Sequence, residues 1–295
     1  MSSALILERA AGPWHLGMAS AKLQVRGRLP GAFGFDLAAD TYRAARSAGI
    51  PAADLVRLAL PGSWMVNNKV PSPVFHRWLQ PGVRDVWTRV VDLLDGDSDR
   101  WLARSELERG ELRERLAVLA AIDASARNIP QGQPATGTAC GLSKVLALLC
   151  PDTVPLMDDA ALWFALGAVP RPDNADTPTA TTDLFVPMLD WFARAVRSNA
   201  AALAELAAGY TLAPMSPAQI LDRLLWFETW GFRVCRTPTP WWWVAEGERE
   251  AIVPAPGPGP APASPGARVD LTTVADEAWR ATARDGLAGV FDSAA

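Results

Sequence analysis

Two histidines and three cysteines in 295 residues leave little material for a metal centre or a disulfide framework. His15 and His76 stand alone, and Cys140, Cys150 and Cys235 are odd in number and too scattered for a C-x-x-C pair. Structural zinc is therefore not expected, the thiols read as reduced, and no cofactor is implied. Lysine is scarce as well. Only 3 Lys stand against 25 Arg, which with the abundance of alanine looks like the coding bias of a high-GC bacterial genome. Positive charge is not in excess: the formal net charge of −4 excludes a broad electrostatic attraction to nucleic acid and leaves room only for a local basic groove. No apolar run reaches membrane-spanning length, and Glu8 and Arg9 follow the apolar Ala4–Leu7 at once. The sequence therefore predicts neither signal peptide nor membrane helix, and a cytoplasmic protein. No internal repeat is present.

What is abundant is apolar material at helical spacing. A hydrophobic fraction of 49% suffices for a sizeable core, and the pattern predicts a mainly α chain. Lys22 to Arg28 alternates and reads as a short strand. Helices are expected over 36–48 and 52–60, the second with Pro51 at its start, and over 83–94, where Asp95-Gly96-Asp97 breaks the pattern. Ser105 with Glu108 forms a capping box that opens a helix running to about Ala126, which Gly110 could divide. Its mixed Glu and Arg residues read as a solvated face with i,i+4 pairs. A Pro-, Asp- and Thr-rich loop, 169–182, precedes a long helix to Ala208 that carries Pro187 near its beginning. Ser216 and Gln219 repeat the capping logic for a helix ended by Gly231.

The last quarter changes character. Residues 232–236, 241–244 and 251–253 predict three short strands, a small antiparallel sheet containing Trp241, Trp242 and Trp243. Those rings could stack bases or cover the sheet. Pro254 to Gly266 is a Pro/Ala/Gly linker, so the expected organisation is a helical domain over 1–253, a linker over 254–270 and a C-terminal helix over 271–295 available to a protein partner.

Candidate site residues concentrate between Gln133 and Val169. The apolar helix expected to open near Lys144 leaves an ammonium close to a positively charged helix end, where a desolvated cation needs a partner. Pro155 forces Val154 out of helical geometry, so an extended link could return Asp158 or Asp159 towards that cation. One reading makes an aspartate the cap of a helix over 160–166, ended by Gly167, with Lys144 in a partly exposed salt bridge. The other makes Lys144 a nucleophile or cation clamp and one aspartate a general base or electrostatic stabiliser. A second candidate is the polar loop Asn67-Asn68-Lys69, with donors suited to a phosphate or base edge, or else a turn whose asparagines bond their own backbone.

The run Gly141-Leu-Ser-Lys144 before an apolar helix, then Val154-Pro155-Leu-Met-Asp158-Asp159 opening another helix with Trp163, resembles the helix-hairpin-helix DNA glycosylases of the oxoguanine type. The resemblance implies a helical glycosylase core in which hairpin glycines, here Gly137 and Gly141, present N–H groups to a DNA phosphate. It implies that Lys144 attacks the sugar C1′ and that an aspartate stabilises the cationic sugar or activates the nucleophile. Asp159 fits if Trp163 sets the register, and Asp158 fits if the distance from Pro155 does. The implied partner is DNA or a nucleobase derivative, with Trp163 available to a flipped base. A non-catalytic helical interaction or regulatory protein is the alternative.

Overall fold

The computed structural model describes residues 4–10, 12–18, 21–22, 25, 32–52, 54–56, 59, 72–126, 138–167, 182–209 and 215–234. Helix makes up 75% of them, so the mainly α expectation holds. The sheet lies elsewhere than expected. It is a single antiparallel pair at the N-terminal end, β1 (Ala4–Leu7) and β2 (Trp14–Gly17), with Leu5 opposite Leu16 and Leu7 opposite Trp14. Leu5, Leu7 and Leu16 are buried while Ile6 and His15 face out, which is the period of two that one buried sheet face requires. The strand expected over 22–28 is not formed at Lys22 or Val25, both helical. At the C-terminal side, Gly231 to Val234 continue the last helix instead of opening a sheet. The expected strands at 241–244 and 251–253, the linker and the tail helix lie outside the described residues.

Besides the helical residues at 18, 21–22, 25, 52, 54–56 and 59, the α-helices with both ends described are α1 (Ala32–Ser47), α2 (Ser72–Trp78), α3 (Arg84–Leu94), α4 (Ser98–Leu102), α5 (Glu106–Ala126), α6 (Thr138–Leu149), α7 (Asp159–Leu166), α8 (Phe185–Ser198), α9 (Ala200–Ala208) and α10 (Pro217–Val234). One continuous apolar core joins them, from Leu5 and Trp78 through Leu116 and Leu146 to Phe192 and Leu225. Within it α6 packs on α1, α5 on α2 and α3, and α8 on α4, α7 and α10. Trp78 and Trp87 meet edge to face at 5.5 Å, and both indole N–H groups donate to backbone carbonyls, of Leu119 and Trp78.

Local chemistry sets the ends of several helices. At α5, Ser105 Oγ accepts from the Glu108 N–H while the Glu108 carboxylate accepts from the Ser105 N–H at 2.9 Å, and the helix runs on through Gly110 without a break. Ser216 and Gln219 exchange the same pair of bonds at the start of α10. Gly96 (φ 112°) and Gly167 (φ 61°) take left-handed backbone where α3 and α7 end. The long helix expected from 182 to 208 is split in two at Asn199. Its side chain serves β1, accepting the Ile6 N–H and donating to the Ile6 carbonyl, both at 2.8 Å, while also donating to the Ala195 carbonyl of α8 at 2.9 Å. One amide thus takes the place of a neighbouring strand along that edge.

Candidate functional site

Helix α6 is buried nearly all round, as its composition requires, but it opens six residues earlier than expected, at Thr138. Lys144 lies in mid-helix, not at its mouth, so the argument from the positive helix end does not apply to it. Gly141 is likewise helical and buried, and the turn expected there is absent. Apart from Cys140 and Lys144, each residue of the helix is buried. Those two stand four apart and therefore share one stripe, the only part of α6 open to solvent.

Ser143, next to Lys144, makes the decisive connection. Its buried hydroxyl donates to the Cys140 carbonyl at 2.9 Å and accepts the Met157 N–H at 2.9 Å. The donor half is the ordinary back-bond of a serine inside a helix. The acceptor half reaches a residue 14 positions on and pins the link 154–157 to α6. From the other side, Asp222 of α10 accepts the Leu156 N–H at 2.8 Å. Pro155 supplies no donor and the Val154 N–H goes back to the Cys150 carbonyl at 2.9 Å, so the amides of Leu156 and Met157 are the ones that side chains take. The link is thereby fixed between α6 and α10, and it delivers Asp158 and Asp159 to the start of α7.

Asp158 acts as the cap of α7. Its carboxylate accepts the Ala161 N–H at 2.8 Å, and its carbonyl accepts the Leu162 N–H at 3.0 Å. Asp159 is the first residue of α7, and Trp163 lies one turn further on; their side chains are outside the described part. Because the Ser143–Met157 bond is 2.9 Å long, the Cα atoms of Lys144 and Asp158 stand within roughly 14 Å by covalent geometry alone. Asn67, Asn68, Lys69 and Gly137 fall outside the described residues.

Three features around this junction were not legible as site residues. Asp123 on α5 is fully buried and accepts a hydrogen bond from Thr138 Oγ1 at the first residue of α6. At the other end of α6, Arg46 donates to the Leu149 carbonyl at 3.0 Å and pairs with Asp95, while Arg43 grips Asp152 with two bonds of 3.2 Å and reaches Gln219 at 2.9 Å. On the outer side of α7, the Arg9 guanidinium sits between the rings of Trp14 (5.0 Å) and Phe164 (4.8 Å). Burial holds the Arg9 pKa below its ordinary value, and the charge of the buried Glu228 works against that shift. Together with the Ala10 N–H to Ala165 carbonyl bond, 3.3 Å, this latches the N-terminal hairpin onto α7.

Neither thiol near the junction extends its chemistry. Cys150 is buried, and desolvation pushes its pKa up to about 12, so it is inert. Cys140 is half-buried beside Lys144. No group of His, Cys, Asp and Glu suited to a metal occurs among the described residues, and no described helix is long and apolar enough to cross a membrane. No protein-family model, curated protein or solved structure matches the chain.

Proposed function

We propose that the junction of α6 and α7 cleaves the N-glycosidic bond of a nucleobase substrate, with Lys144 as nucleophile and Asp158 or Asp159 as the assisting carboxylate. The observation that supports this reading is the Ser143–Met157 hydrogen bond, made on α6 one residue before Lys144 and on the link one residue before Asp158, while Lys144 is one of the two partly exposed residues of α6. In the reaction the C1′–N bond breaks with its electron pair, and the departing base takes up a proton. The Lys144 amine bonds to C1′ and gives up its proton to the carboxylate, which also stabilises the oxocarbenium-like centre. Ring opening gives an imine, and water then returns the free amine and the sugar. No metal enters these steps.

A second reading has its own support. Asp158 already caps α7, and Gly141 lies inside α6, so the same residues serve a helical interaction module without catalysis. Base release from a panel of nucleosides and of oligonucleotides carrying damaged bases separates the two. The catalytic reading expects a loss of about 10²–10⁴-fold in Lys144→Ala and in one of Asp158→Asn and Asp159→Asn, with folding retained. No release by the wild type leaves the interaction module, and release untouched in all three variants removes Lys144 and both aspartates from the chemistry.

A further inference from the structure

A pocket of about 140 Å³ lies between the helical turn at Asp54, the end of α2 and the start of α3, and it shares no residue with the α6–α7 junction. Its deeper lining is apolar: Val56, Trp78 and Trp87 are each 1% exposed. Both indole N–H groups are engaged by backbone carbonyls, of Leu119 and Trp78, so the two rings offer the pocket carbon alone. The rim is charged. Asp54 and Arg84 line the pocket with half-exposed side chains and are paired at 2.8 Å.

We infer that this pocket binds a free α-amino acid with an apolar side chain. Such a ligand carries an ammonium and a carboxylate on one carbon, so it needs an anion and a cation standing side by side, as Asp54 and Arg84 do. On binding, the ammonium turns to Asp54 and the carboxylate to the guanidinium fork of Arg84. One ion pair thereby becomes two. The pair that opens is exposed and contributes little to the fold, so the exchange meets little resistance. Arg84 is also the first residue of α3, where the positive helix end disfavours a cation and favours a carboxylate held against it. The side chain enters the apolar part and leaves water. A cavity of roughly 150 Å³ accepts a benzene ring, so leucine or phenylalanine matches the space. A ligand with only one of the two charges opens the pair and leaves one partner unmatched.

The full chain, as wild type, Asp54→Asn and Arg84→Gln, is titrated calorimetrically with L-leucine and L-phenylalanine. L-leucinamide, which lacks the carboxylate, and N-acetyl-L-leucine, which lacks the ammonium, are titrated alongside. The expected result is binding of leucine or phenylalanine to the wild type, with each leucine derivative weaker than leucine by about ten-fold or more, the loss of one charge-assisted bond. Arg84→Gln should lose the preference for leucine over leucinamide, and Asp54→Asn the preference for leucine over N-acetyl-leucine. A merely structural ion pair does not produce that crossed pattern. Where a variant fails to fold, the ligand series on the wild type decides alone. No binding of either amino acid up to about 10 mM, equal binding of leucine and both derivatives, or wild-type preferences kept in both variants overturns the inference.

Discussion

Replacing Ser143 by alanine removes one hydroxyl and tests how the junction is held. In the native chain that oxygen accepts the Met157 N–H at 2.9 Å in a fully buried setting. The variant leaves the amide buried with no acceptor, a cost of about 1–3 kcal/mol. Alanine is the better helix former, which returns about 0.5 kcal/mol at a mid-helix position. The Cys140 carbonyl loses a second donor but keeps its place in the helix, so it adds little. The desolvated amide wins. A net loss of roughly 0.5–2.5 kcal/mol should lower the thermal midpoint by roughly 1–10 °C at this chain size. Amide exchange locates the effect: Met157 should lose protection while Leu156, held by Asp222 from the other side, keeps most of it. A variant as stable as the wild type, with Met157 still protected, would refute the argument that this hydroxyl positions the link.

Asn199→Ala removes the two bonds to Ile6 and one to the Ala195 carbonyl, and a loss of about 2–3 kcal/mol with faster exchange at Ile6 is expected from chemical denaturation and amide exchange. Glu108 is held at a pKa of about 2, first by the Ser105 N–H and then by Arg104, against an ordinary value of 4.5. Its folded pKa is the lower one, so its contribution is complete above about 4.5 and is lost as the pH falls through about 2. A carboxyl titration followed by NMR that finds the ordinary midpoint would contradict the capping box. In alkylation at about pH 8, the half-buried Cys140 should react in the native chain and Cys150 only on unfolding, and equal rates would contradict the burial of Cys150.

What could be read from the sequence was local. The capping boxes at Ser105 and Ser216 are complete within four residues, and both form. The stop at Gly167 and the break at Gly96 follow from left-handed backbone that glycine accepts freely. The apolar character of α6 and an aspartate cap on α7 were legible for the same reason. Distant interactions were not. Nothing near Asn199 announces that its side chain will serve a strand 193 residues away and so divide a helix. Gly231 was read as a stop, yet α10 continues through it: glycine costs a helix only about 1 kcal/mol, and the helix is fixed by its buried Leu224, Leu225 and Glu228. The N-terminal sheet depends on pairing across a connection, which a run of Ala-Leu-Ile-Leu alone does not specify. The junction itself was half legible. Lys144 and the aspartates stood out by type, while Ser143 and Asp222, which hold the link, act through bonds to residues 14 and 66 positions away that no local pattern announces.

Whether Lys144 performs covalent chemistry is decided most directly by trapping. The wild-type chain is incubated with nucleosides and with an abasic-site oligonucleotide in the presence of borohydride, digested, and mapped by mass spectrometry. The expected result is a reduced sugar adduct on the peptide that carries Lys144, absent in Lys144→Ala and weakened in one of Asp158→Asn and Asp159→Asn. An adduct elsewhere in the chain, or none alongside intact folding, would contradict the proposed role of Lys144.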